Sequence, residues 1–163
     1  MVKADPSVSI EVAIESFRNG QMLIVVDDED RENEGDFIIA AEKAKPDDIN
    51  FMMKEGRGLI CMAIPLEYSE RLQLSPMVTE NTALNQTNFT VSVDAMSNIS
   101  TGISSHDRWE TVQVILNENS SPRDLARPGH MFPLMAKEGG VLQRAGHTEA
   151  AVDMANLAKI KPA

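Results

Sequence analysis

Apolar residues recur at helical spacing through Ile10, Ala13, Ile14 and Phe17, with Asp5-Pro6-Ser7 offering start chemistry before them and Gly20 a stop after them. This predicts a first helix. Met22-Leu23-Ile24-Val25-Val26 is a continuous apolar run rich in branched residues, the pattern of a strand buried on both faces, and Phe37-Ile38-Ile39-Ala40-Ala41 repeats it. Lys45-Pro46-Asp47-Asp48 opens a second helix running to about Glu55, and Gly56 and Gly58 release the chain into a strand over 59–64. A short helix over 65–72 and a polar loop over 81–87 follow, after which Phe89-Thr90-Val91-Ser92-Val93 alternates as a half-covered strand does. Ser104 and Asp107 form a cap-like pair ahead of Trp109, Val112, Ile115 and Leu116, which share a helical face. Ser121-Pro122-Arg123-Asp124 reads as a capped turn and Arg127-Pro128-Gly129-His130 as a loop. The strand over 131–136 contains Pro133, which predicts an edge position. Gly139-Gly140 turns the chain towards a last helix over about 149–158. Helices separate most strands, so the expected fold is α+β, a three-layer α/β/α arrangement around a mixed, twisted sheet, formed by residues 1–163 as a single domain.

Length and charge narrow the function classes. The 163 residues suit one domain, and the apolar runs at 22–26 and 59–64 are too short to cross a bilayer. With no basic segment ahead of an apolar one at the start, the expectation is a cytoplasmic protein with no membrane partner. Fifteen Lys and Arg against twenty-five Asp and Glu leave a net charge of −10, which argues against nucleic acid as a partner. The lone Cys61 excludes an intrachain disulfide and a cysteine-based zinc site, leaving oxygen-rich metal chemistry open.

The excess charge is concentrated in Asp27-Asp28-Glu29-Asp30-Arg31-Glu32-Asn33-Glu34-Gly35-Asp36, where seven carboxylates accompany one arginine. The segment leaves the end of a predicted strand, where layered α/β proteins build ligand sites. Such crowding is unfavourable unless Arg31 or a hard cation such as Mg²⁺ or Mn²⁺ compensates it; a solvated acidic turn is the plainer alternative. A second candidate is Arg144-Ala145-Gly146-His147-Thr148-Glu149, at the start of the last helix. Free N–H groups, the Thr148 hydroxyl and the Arg144 charge there suit a phosphate monoester, while His147 can complete a metal site; alternatively Thr148 is simply a helix cap. In the third, Arg127-Pro128-Gly129-His130, a tight turn can fix an imidazole. His106 reads as a structural or surface residue, Cys61 as a buried inert thiol, and Gly102 as a further source of N–H groups.

Together with Ser100-Thr101-Gly102-Ile103-Ser104, these segments follow one another as they do in the 3,4-dihydroxy-2-butanone 4-phosphate synthases, which the chain resembles from about Ser9 to its end. The resemblance implies conversion of ribulose 5-phosphate to the four-carbon precursor of riboflavin with release of formate, dependence on Mg²⁺ or Mn²⁺, and a homodimer with active sites at the subunit interface. It implies that Glu32 and His147 bind the metal, with Glu34 a further candidate ligand. It also implies that Arg31, Glu32, Asp36, Arg144, Ala145, Gly146, His147 and Thr148 line the sugar phosphate, and that His130 matches an essential histidine. Metal held by Glu32 and His147 would favour an enediolate, with Asp36 and His130 the remaining proton carriers. The family continues past the position of Ala163 with a Gly-Val-x-Cys-Glu strand whose glutamate is an acid/base, so the 163 residues are expected to bind substrate better than they turn it over. Two other readings stand beside this one: a different metal-dependent phosphosugar aldolase or isomerase, and a non-catalytic fragment or domain of a longer chain fused to GTP cyclohydrolase II.

Overall fold

The computed structural model describes residues 7–163. Asp5 and Pro6, two of the residues expected to start the first helix, lie outside them, and the N-cap is Ser9, ahead of α1 (Ile10–Arg18). Strands β1 (Leu23–Val26) and β2 (Gly35–Ile38) pair antiparallel, Val26 opposite Gly35, with the acidic segment as their connection. Helix α2 (Pro46–Phe51) continues into a wider turn over Met52–Gly56, and Arg57 takes a left-handed conformation that ends it. Then come β3 (Cys61–Ile64), α3 (Leu66–Leu72), β4 (Val93–Ala95), α4 (Ser105–Leu116), β5 (Leu125–Met135) and α5 (His147–Ala158).

The three layers can be read along β3. Met62 and Ile64 join a core with Tyr68, Leu72, Val112 and Ile115, on the side of α3 and α4. Ala63, between them, packs with Phe17, Ala151 and Ala155, on the side of α1 and α5. Alternate residues of one strand thus serve opposite cores, as the pleat requires. Complete burial of Phe17 and Ile115 contributes about 2 kcal/mol each. Arg18 donates through Nε to the Ala158 carbonyl at 2.9 Å, setting a cation on the C-terminal end of α5.

Sheet topology departs from expectation in three places. Strand β5 is central, parallel to β3 on one side and antiparallel to β4 on the other, so Pro133 does not mark an edge. Met135 donates its N–H to Asn88 and Ala136 donates to Ile64, on opposite sides of the strand. The Pro133 nitrogen therefore faces the Asn88 side, where Phe89 and Leu134 form only an isolated bridge and little ladder is lost. Second, Arg127-Pro128-Gly129-His130 is not a separate loop but a bulge inside β5. The register steps from Val93 opposite Met131 to Asp94 opposite Ala126, leaving those four residues without partners on β4. The alternating stretch at 89–93 accordingly contributes bridges, and the regular strand begins only at Val93. Third, β1 is covered on one face alone: Ile24 and Val26 are 66% and 70% exposed. The β1–β2 pair forms a two-stranded sheet of its own, separate in hydrogen bonding from β3-β5-β4.

Candidate functional site

Asp27, at the exit of β1, organises the acidic connection. Its Oδ1 accepts the Glu34 N–H at 2.9 Å, and its Oδ2 accepts the Glu32 N–H at 3.1 Å and an Arg31 guanidinium N–H at 2.7 Å. These donors, the Glu34 N–H foremost, hold the Asp27 carboxyl below its ordinary range. Arg31 also reaches Glu32 Oε1 at 3.1 Å, so the single arginine offsets two carboxylates. Asp28, Glu29, Asp30 and Glu34 remain in solvent.

Helix α5 brings His147 to this cluster. The helix starts two residues earlier than its sequence pattern suggested, with Gly146 as N-cap and no side-chain cap, which makes Thr148 a buried first-turn residue and not the cap. His147 Nδ1 lies 3.7 Å from Glu32 Oε2 and 3.6 Å from Asp36 Oδ2. Its Nε2 is buried without a hydrogen-bond partner. Ligand atoms of Asp27, Glu32 and His147 all fall within 4.8 Å of one another. Two carboxylates and an imidazole at such separations fit a hard divalent cation, whose neighbouring ligands stand about 3–4 Å apart. A cleft of about 640 Å³ opens beside them, lined in part by Glu34, Asp36, Cys61, His147 and Thr148. Cys61 is half-buried on the cleft wall and not enclosed in the core as expected, and burial pushes its thiol up to about 12.

Arg144 is drawn inward. It donates to Glu149 Oε2 at 2.6 Å, to the Asn85 carbonyl at 3.1 and 3.2 Å and to the Thr87 hydroxyl at 3.0 Å. Glu149, 1% exposed, also accepts the Lys137 N–H at 2.9 Å. A Cβ on Gly146 would lie 2.2 Å from Arg144 Nη1, so the glycine makes room for this ion pair. Arg144 thereby ties the polar loop at 81–87 to the entrance of α5, beside Ala145 and Gly146.

His130 stands elsewhere. It projects from the β5 bulge, 40% exposed, with Nδ1 2.7 Å from Asp94 Oδ2. Among the described residues no hydrogen bond or ion pair joins it to the Asp27, Glu32 and His147 cluster. The 100–104 loop beside it is shaped by Asp107, which accepts from the Ser100 hydroxyl at 2.8 Å, the Ser100 N–H at 3.2 Å and the Gly102 N–H at 3.0 Å. Led by the Ser100 hydroxyl, these bonds hold the Asp107 carboxyl at about 2, against an ordinary 3.8. A lowered folded-state value stabilises fully above pH ~4 and is lost as pH falls towards 2. Trp109 fluorescence should therefore show a stability gap between wild type and Asp107→Asn that is widest above pH ~4 and narrows towards pH 2. A constant gap would exclude this role.

Asp27, Asp94 and Glu149 were not assigned roles from sequence. Asp27 had a signal, as the first acid after a strand. Asp94 had none, lying 36 positions before its partner.

The family model for 3,4-dihydroxy-2-butanone 4-phosphate synthase matches residues 11–163. The chain belongs to this family. It is 58% identical over 154 residues to the riboflavin biosynthesis protein RibBA of Bacillus mycoides (strain KBAB4), covering 94% of this chain and 38% of that protein. Identity to the Cytophaga hutchinsonii RibBA is 58% over 156 residues, covering 95% and 38%. The chain thus spans about 38% of the length of these curated relatives. Among solved structures, a 3,4-dihydroxy-2-butanone 4-phosphate synthase in complex with two magnesium ions superposes with a TM-score of 0.93 at 43% identity, covering 96% of this chain and 73% of that one. RibBX from A. baumannii, a two-domain synthase, gives 0.90 at 45% identity, covering 95% and 46%.

Proposed function

We propose that the chain is a 3,4-dihydroxy-2-butanone 4-phosphate synthase domain that converts ribulose 5-phosphate to 3,4-dihydroxy-2-butanone 4-phosphate and formate with Mg²⁺ or Mn²⁺, as a step towards riboflavin. The observation that carries this reading is the meeting of the mostly buried His147 ring, its Nδ1 3.7 Å from Glu32 Oε2, with Glu32 and Asp27 at the start of a helix that has no side-chain cap. A divalent ion bound there supplies Lewis acidity to a substrate carbonyl oxygen. Glu32 and His147 would hold the ion, and Asp27 sets the loop that presents Glu32 while remaining within ligand reach. The His147 and Thr148 N–H groups at the α5 N-terminus, with the Thr148 hydroxyl, receive the phosphate. Arg144, held by Glu149, Asn85 and Thr87, shapes the Ala145–Gly146 approach to that phosphate site. Arg31 orients Glu32, and Asp36, 56% exposed at the cleft mouth, accepts or returns a proton at the substrate carbons. His130 carries the second proton. Substrate carbons divide between product and formate without an oxidant.

The separation of His130 from the metal cluster supports a homodimer whose active sites form at the subunit interface, one copy supplying His130 to the other's cleft. The exposed Ile24 and Val26 supply apolar surface for such a contact. The half-buried free thiol suits a cytoplasmic setting.

The decisive assay incubates ribulose 5-phosphate and Mg²⁺ with the protein in its full reading frame and measures formate. Formate with a four-carbon phosphate is expected; an isomer or aldol product without formate would replace this reading with that of another phosphosugar enzyme. Mixed His130→Asn and His147→Ala subunits, each inactive alone, should recover up to about a quarter of wild-type activity if sites form across a two-fold interface. No recovery, or a monomer in sedimentation, would remove the interface site.

A further inference from the structure

The β5 bulge carries an arrangement that the proposed role of His130 does not explain by itself. Four residues, Arg127 to His130, are inserted opposite a single step of β4, which leaves their backbone groups without ladder partners. Side chains of the neighbouring strand take up two of the donors: Gly129 N–H donates to Ser92 Oγ at 3.2 Å and His130 N–H to Asp94 Oδ1 at 2.8 Å. The second oxygen of the same carboxylate, Oδ2, lies 2.7 Å from His130 Nδ1. Asp94 therefore grips one residue twice, by backbone and by ring. On the other side Arg108 Nη1 donates to the His130 carbonyl and its Nε to the Ile103 carbonyl at 3.1 Å, so the main chain of His130 is fixed at both its N–H and its C=O.

The carboxylate that does this is 6% exposed. Gly102 closes over the contact: with φ +90°, a Cβ at this position would lie 2.1 Å from Asp94 Oδ2 and 2.7 Å from His130 Nδ1. Asp107 in turn holds Gly102 in place through its N–H. The charged groups near the pair are Arg108 from α4 and, one layer behind the loop, Asp107. The imidazole is 40% exposed, although the Nδ1 edge is enclosed by Asp94 and Gly102, which leaves Nε2 on the open side.

The geometry points to Asp94 as the positioning residue of His130: its carboxylate accepts the Nδ1 proton, fixes the ring plane and leaves Nε2 as the free atom for proton transfer. An acid that accepts at one ring nitrogen selects the tautomer in which the other is a base, and stabilises the imidazolium that forms. Asp94 does not touch substrate and moves no proton itself. This assignment rests on the reading of His130 as a proton carrier, and the experiment separates the two.

The test begins on the unaltered protein. Nitrogen-15 NMR of the imidazole rings, with His130 assigned by its loss in His130→Gln, reports which ring nitrogen carries the proton in the neutral form. The Nδ1–H tautomer is expected, and an Nε2–H tautomer overturns the inference without any variant having to fold. Asp94→Asn is then compared in the full-reading-frame protein. The amide can donate to Nδ1, so the ring should switch to the Nε2–H tautomer and kcat for formate release should fall by about 10²-fold or more, with KM changing less than about threefold. A tautomer unchanged by Asp94→Asn, or kcat within about threefold of wild type, rejects Asp94 as the positioning residue. Full activity in His130→Gln would instead remove the proton-carrier reading itself, and the inference with it.

Discussion

Replacing His147 by alanine should remove most of the metal-induced stabilisation and lower formate release on the order of 10²–10⁴-fold. Metal that binds only the native state stabilises it by about 2.7 kcal/mol when present at a hundred times its dissociation constant. For a chain of this length that corresponds to a rise of about 5–10 °C in thermal midpoint. Wild type should show such a rise with Mg²⁺ or Mn²⁺. Glu32→Gln should show a reduced rise and His147→Ala little or none, because the imidazole is the ligand that α5 contributes to the cluster. Scanning calorimetry with and without metal reads the effect directly, and equal shifts in all three proteins would reject the cluster as the metal site.

The largest effect on stability should come from Gly129→Ala. A methyl group at Gly129 would lie 2.0 Å from the Val93 carbonyl carbon and 2.3 Å from the Asp94 nitrogen, which are backbone atoms of the adjoining strand. Neither can move aside without parting β4 from β5, so a loss of about 3 kcal/mol or more is expected in urea unfolding. Gly58 is the control. A Cβ there meets only the Gly56 carbonyl at 3.9 Å, and Gly58→Ala should stay within about 0.5 kcal/mol of wild type. Similar losses for the two variants would mean that the bulge yields where the backbone contact says it cannot.

Helices and the start of β1 are legible in the chain because their signals are local, whereas the other strands begin two to six residues from where the apolar runs place them. Ser104 does cap α4 through the Asp107 N–H, and Ile10 to Phe17 does form one helix. The errors arose where a partner decides. Pro133 signals an edge only if every strand neighbour forms a full ladder, and the break beside Asn88 was not visible in residues 131–136. Arg127 to His130 looked like a loop because proline and glycine punctuate it; that the chain re-enters the same strand depends on Val93 and Asp94 lying opposite. Similarly, Met22 to Val26 has the composition of a fully enclosed strand, yet covering is decided by what packs on each face. The same division holds at the site. Glu32 and Asp36 both lie within 4 Å of His147, and each of the three lies in a segment whose composition is itself unusual. Asp94 and Glu149 act through residues distant in sequence or through burial, and a single acid in a strand or helix gives no hint of either.

Because, among the described residues, β1 and β2 form a two-stranded sheet apart from β3-β5-β4, the acidic connection between them rides on the part of the sheet structure with the fewest cross-strand restraints. Two-stranded units are marginal on their own, so this hairpin, held to the core by Leu23, Val25 and Ile38, is expected to open before β3, β5 and β4 do. Its amides should exchange with solvent sooner than those of the central strands. A cation held by Glu32 and His147 would fasten the hairpin to the helix layer. Deuterium uptake by residues 23–38 then becomes a direct gauge of occupancy, slowed by metal while the interior of the three-stranded sheet exchanges at an unaltered rate.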